Sequence, residues 1–194
     1  MIERYSTVEM AAVWSEPRKL AVWREVEILV VEAWAELGIA PQDAAVAARK
    51  SPEVDPVEWK EREAVTNHDV AAFVDLLSES VSEGGEWIHY GLTSSDVLDT
   101  ASGVTLKESG ELLLDAVAEL FDTVKEKAFE YRDVPMIGRT HGIWAEPTSF
   151  GLKLANWAFE VNRDHERLVD AVNGVSFGKI SGAVGTYAHT PPDV

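Results

Sequence analysis

The chain has 194 residues, with 34 acidic against 17 basic side chains and a formal net charge of −17, spread as −10 over residues 1–90 and −7 over 91–194. That length hides roughly 70% of the unfolded surface, and 46% hydrophobic against 26% charged residues exclude a disordered chain, while the even acidity repels nucleic acid and anionic membranes. Without cysteine there is no disulfide, thiolate nucleophile or cysteine zinc site. The charged start MIERYSTVEM is no signal peptide and no run of eighteen apolar residues occurs, so the expected location is the cytoplasm.

The first clear helix is predicted over Pro17–Leu37, where Leu20, Trp23, Val26, Val30, Ala33 and Leu37 recur at three- and four-residue steps. Gly38 closes it and Pro41 follows as a breaker. A second helix starts at Asp55-Pro56-Val57-Glu58, with a capping side chain, proline at the first position and glutamate at the third. A third runs from Asp69 to about Ser82, before Gly84-Gly85. The pattern then holds from Ser95 to Tyr131 through Val97, Ala101, Val104, Leu113, Val117, Leu120, Val124 and Ala128, with Gly103 and Gly110 as weak points.

Such a helix spans about 55 Å, whereas a compact chain of this size has a diameter of about 40–45 Å. The helix therefore overshoots its own domain, which points to a bundle shared with other subunits or to a larger protein. A last helix is predicted from Pro147 to about Val172, amphipathic through Phe150, Leu154, Trp157, Val161 and Leu168, with a glycine-rich tail from Gly174. Short extended pieces fit only near Ile137 and Ile180. The fold class expected is all-α: a small N-terminal helical domain over residues 1–93, then the start of a long central bundle over 94–194.

Chemistry is expected at the joints between helices, three of which are dense in polar groups. In Thr66-Asn67-His68-Asp69, capping accounts for Asn67 or Asp69 and leaves His68 without a structural reason. In His89-Tyr90-Gly91-Leu92-Thr93-Ser94-Ser95-Asp96, three consecutive hydroxyls at a helix start exceed what a cap needs. With free backbone N–H groups they suit a carboxylate or phosphate, although the charge of Asp96 competes for the same helix end. In Gly138-Arg139-Thr140-His141-Gly142 the histidine lies among glycines, unlike a core histidine on a helix face. Phosphate-loop and HExxH patterns are absent, and Trp23, Trp34 and Trp157 read as core.

Together, Arg4-Tyr5, TNHDV at 66–70, HYGLTSSDVLDTA at 89–101, GRTHG at 138–142, AEPTSFG at 145–151 and GKISGAVGT at 178–186 resemble the adenylosuccinate lyases, within the fumarase/aspartase superfamily of helical lyases. The likeness covers practically the whole chain. The carboxymuconate cycloisomerase branch comes next, with a similar TS-x-D and THG, and a non-catalytic oligomerisation module is a third reading. The NHD joint and the Arg4-Tyr5 start favour the first.

This resemblance implies a β-elimination of fumarate from adenylosuccinate and from the related succinyl-carboxamide ribotide of purine and AMP biosynthesis. It implies His141 as general acid at the leaving nitrogen and His68 assisting it. Thr93 and Ser94 would hold a succinyl carboxylate. Asn67, His68, Asp69 and His89 would border the phosphate, and Arg4 and Tyr5 would grip the nucleotide. Lys179 and Ser181 are expected to be structural, or to line the site. No metal or organic cofactor is implied. The resemblance further implies a homotetramer whose sites draw on three chains, and a general base on a loop downstream of Val194, so that these residues look like an N-terminal part of a longer lyase.

Overall fold

The computed structural model describes residues 2–194. The chain divides into two compact units, Met1–Leu106 with Ser176–Val194, and Lys107–Val175.

The first unit opens with a 3-10 turn, Glu3–Tyr5, and a short helix, α1, Val8–Val13. Helix α2, Glu16–Glu36, begins at Ser15, whose hydroxyl accepts the Arg18 N–H. It closes in a Schellman turn: Gly38 N–H donates to Ala35, Ile39 N–H donates to Trp34, and Gly38 has φ 71°. Leu20, Val22, Trp23, Val26, Ile28, Val30, Val31, Trp34 and Ala35 are all buried. The single stripe predicted for this segment is thus too narrow, and Leu37, at its end, is 42% exposed. The reason is that α2 is the central helix of its unit and other helices cover more than one side of it.

Those helices are α3, Gln42–Lys50, α4, Pro56–Thr66, and α5, Asp69–Ser80. Asp55 caps α4 by accepting the Val57 and Glu58 N–H groups, as its sequence requires. Trp23 meets Phe73 and Trp59 edge-on, with ring centroids 5.5 and 6.1 Å apart. The long helix α6, Ser94–Glu130, enters this core through Val97 and Ala101.

The second unit holds the rest of α6, a hairpin of β1, Pro135–Thr140, and β2, Ile143–Ser149, and helix α7, Phe150–Val175. The extended piece expected near Ile137 is this hairpin, while residues around Ile180 form no strand. Pro147, expected to open the last helix, pairs with Ile137 in the hairpin. The helix begins after Ser149, whose hydroxyl accepts the Leu152 N–H. Gly110, a weak point of α6 by propensity, is where Val172 of α7 packs, and any β-carbon there would collide with it. Among the described residues no helix is long and apolar enough to cross a membrane.

Candidate active site

At the first joint Asn67 ends α4 in the left-handed region, φ 52°, with its N–H on the Glu63 carbonyl. The cap of α5 is His68 itself, whose Nδ1 accepts the Ala71 N–H at 3.2 Å. This corrects the expectation that Asn67 or Asp69 would serve. Asp69 instead accepts the N–H of Val70 at 2.8 Å, and its carbonyl takes the Trp59 indole N–H at 3.0 Å. The His68 side chain stays half exposed, with Asp69 Oδ1 3.5 Å from Nδ1.

The second joint is held from beneath by buried groups. His89 adopts φ 63°, a conformation that costs a residue with a β-carbon about 1–2 kcal/mol. Its N–H donates to Glu27 Oε2 at 2.7 Å, and its Nδ1 lies 2.6 Å from Glu27 Oε1. One residue on, the Trp34 indole N–H donates to the Tyr90 carbonyl at 3.1 Å. Next, the Thr190 hydroxyl donates to the Gly91 carbonyl at 2.6 Å. The backbone of 89–91 is therefore pinned at three successive residues before α6 begins.

At the start of α6, Asp96 is fully buried rather than turned toward a ligand. Its Oδ2 accepts the Thr93 N–H at 2.9 Å, half of a capping box. Its Oδ1 accepts the Ser181 N–H at 3.0 Å and the Lys179 ammonium at 2.8 Å, and Gly182 N–H reaches both oxygens at 3.2 Å. Burial pushes this carboxyl up, but the Lys179 ammonium and the N–H groups of Thr93 and Ser181 outweigh it and hold it below the usual range. Thr100 secures the same loop, its hydroxyl accepting the Lys179 N–H at 2.9 Å. With Asp96 facing inward, the hydroxyls of Thr93, Ser94 and Ser95 have no partner among the described residues.

His141 and Gly142 are the two central residues of the hairpin turn, at φ 53° and 74°, with Thr140 paired to Ile143. Positive φ at both positions is the type I′ geometry that suits a two-residue hairpin. The His141 ring is exposed and has no partner among the described residues. Arg4 and Tyr5 lie on the first 3-10 turn, the guanidinium 4.9 Å from the ring centroid, both exposed.

Within the first unit, His89, Thr93 and Ser94 thus lie on one pinned segment with Asp96, Lys179 and Ser181 beneath it. No hydrogen bond or ion pair among the described residues joins that segment to His68 or to Arg4 and Tyr5. His141 belongs to the other unit. Sequence reasoning missed Glu27, although a signal was present: it stands four residues after Trp23 and three before Val30, a carboxylate on the apolar side of α2.

The helical architecture is accompanied by a match along the sequence: the family model described as Lyase covers residues 5–194, and the chain belongs to that family. The adenylosuccinate lyase of Bacillus subtilis (strain 168) is 50% identical over 194 residues, which are 100% of this chain and 45% of that protein. That of Thermotoga maritima is 47% identical over the same length and share. The chain thus spans less than half the length of the curated relatives it matches. Among solved structures, a fumarate lyase from Mesorhizobium sp. BNC1 superposes with a TM-score of 0.87 at 30% identity, over 93% of this chain and 43% of that one. The β-carboxy-cis,cis-muconate cycloisomerase of Acinetobacter calcoaceticus sp. ADP1 also gives 0.87, at 26% identity, over 94% and 44%.

Proposed function

We propose that the whole protein carrying this chain is an adenylosuccinate lyase, eliminating fumarate from adenylosuccinate and from the related succinyl-carboxamide ribotide. The observation that carries this reading is 50% identity to such an enzyme along the entire chain. The cycloisomerase alternative has 26% in its support. Residues 1–93 make an N-terminal domain and 94–194 open a central bundle that four subunits share. The reading carries a cytoplasmic location with it.

The reaction removes a proton from the carbon beside a carboxylate and breaks the carbon–nitrogen bond at the neighbouring carbon. Charge accumulates as an aci-carboxylate, which needs donors already in place. Thr93 and Ser94 supply them at the N-terminus of α6, where N–H groups and helix dipole add to the hydroxyls. His141 protonates the departing nitrogen, since an amine leaves badly as an anion and histidine titrates near neutrality. His68 assists the acid, while His68 and His89, with Asn67 and Asp69, border the phosphate. Arg4 adds a guanidinium fork beside Tyr5 for the nucleotide. The general base comes from a further loop, outside residues 1–194. The test is fumarate release from adenylosuccinate by the whole protein; turnover of a carboxymuconate in its place would refute the reading.

A further inference from the structure

Glu27 is completely buried on α2, and both its oxygens are directed at one residue. Taking a carboxylate out of water is costly unless its partners are well placed. Here the partners are the N–H and the Nδ1 of His89, and among the described residues no lysine or arginine joins them. The same contacts hold His89 in its left-handed backbone conformation. The ring keeps 22% of its surface exposed, and its Nε2 has no partner among the described residues.

We infer that Glu27 is a positioning residue for substrate binding: it keeps a proton on His89 Nδ1 and fixes the ring so that Nε2 meets an anionic oxygen of the substrate. The inference rests on the proposed reading of His89 as a substrate-binding residue. A carboxylate on Nδ1 decides the tautomer, because that nitrogen then donates. Nε2 becomes the nitrogen offered to the ligand. When it too carries a proton, the ring donates a charge-assisted hydrogen bond to phosphate or carboxylate, with Glu27 as its counter-ion. Glutamine at 27 would have the same shape, but it presents one acceptor and one NH2 to two donors, which forces the proton off Nδ1 or breaks the grip on the backbone.

Neutron diffraction from crystals of the whole protein tests the first half without any variant. A deuteron on His89 Nδ1 is expected, and a bare Nδ1 overturns the inference. Kinetics of the whole protein on adenylosuccinate test the second half. Glu27→Gln is expected to raise KM by about 10- to 100-fold, the worth of a hydrogen bond to a charged group, with a much smaller change in kcat. In a His89→Gln background the same substitution should add less than about twofold, because Glu27 acts through that ring. An equal rise in both backgrounds would make Glu27 a purely structural group and overturn the inference. A parental KM in His89→Gln alone would instead remove His89 from the site, and with it the role given to Glu27.

Discussion

Replacing Asp96 by alanine removes the acceptor for four donors, and the structure allows the cost to be worked through. The Ser181 N–H is buried and would be left without a partner, at about 1–3 kcal/mol. The N–H groups of Thr93 and Gly182 are half-buried, so water recovers part of their loss. Lys179 has a side chain 36% exposed and keeps the Gly182 carbonyl at 2.9 Å, so its ammonium is not stranded. The sum falls near the lower end of what breaking a buried ion pair costs, about 3–4 kcal/mol. For a unit of this size that lowers Tm by about 10 °C. Tryptophan fluorescence measures the transition, and hydrogen exchange should show the amides of Thr93, Ser181 and Gly182 losing protection first. A loss below about 1 kcal/mol, or unchanged protection at Ser181 and Gly182, would refute the reasoning.

The same carboxylate makes a pH prediction with a definite sign. Its value in the folded state lies below that of an unfolded aspartate, about 3.9, because Lys179 and the N–H groups outweigh burial. Its contribution is therefore fully present above the unfolded value and lost as pH falls through the folded one. The stability difference between the parent and Asp96→Asn should be constant at neutral pH and close only below about pH 4.

Three further outcomes are expected. In the whole protein, His141→Ala should reduce kcat by about 10²–10⁴-fold with KM much less affected, as for a group acting in the transition state; near-parental turnover in a steady-state assay would return His141 to a turn residue. Gly91→Ala should destabilise by about 2–4 kcal/mol in thermal unfolding, since φ is 78° and the new β-carbon would sit 2.7 Å from the Thr190 hydroxyl oxygen and 2.9 Å from the His189 carbonyl oxygen. Residues 1–194 alone should self-associate, because Leu113, Leu120 and Phe129 of α6 and Trp157 and Phe159 of α7 are exposed by 45% or more; a monomer at all concentrations in light scattering would contradict this.

What the sequence disclosed were features with local causes. Asp55-Pro56 and Gly38 act within a few residues of themselves, so the ends they mark fall where expected. Helix α3 went unread because Pro41 provides no side-chain cap and its buried face is Ala44, Ala45 and Ala48, too small to stand out as an apolar stripe. The hairpin needed the pairing of Pro147 with Ile137, which the reading of Pro147 as a helix start concealed. The site divides in the same way. Histidines at joints are visible one by one. Glu27 stands out locally as a carboxylate on an apolar face and Asp96 as the capping partner of Thr93, but no local pattern displays their partners 62 and 85 positions away.

The three histidines proposed for the site differ in what the fold asks of their rings. Nδ1 of His68 accepts the Ala71 N–H, so the proton of its neutral ring sits on Nε2 and protonating Nδ1 would break the cap. His89 has its Nδ1 against Glu27. Each ring has one nitrogen committed to the fold, so each is suited to holding a substrate group in a fixed place. His141 differs: its backbone is fixed by a tight turn with positive φ at two residues, yet neither ring nitrogen has a partner among the described residues. A general acid must release a proton and regain it in every cycle, and a ring free of structural hydrogen bonds does so without unsettling a helix end. That freedom is what the proposed role of general acid asks of His141.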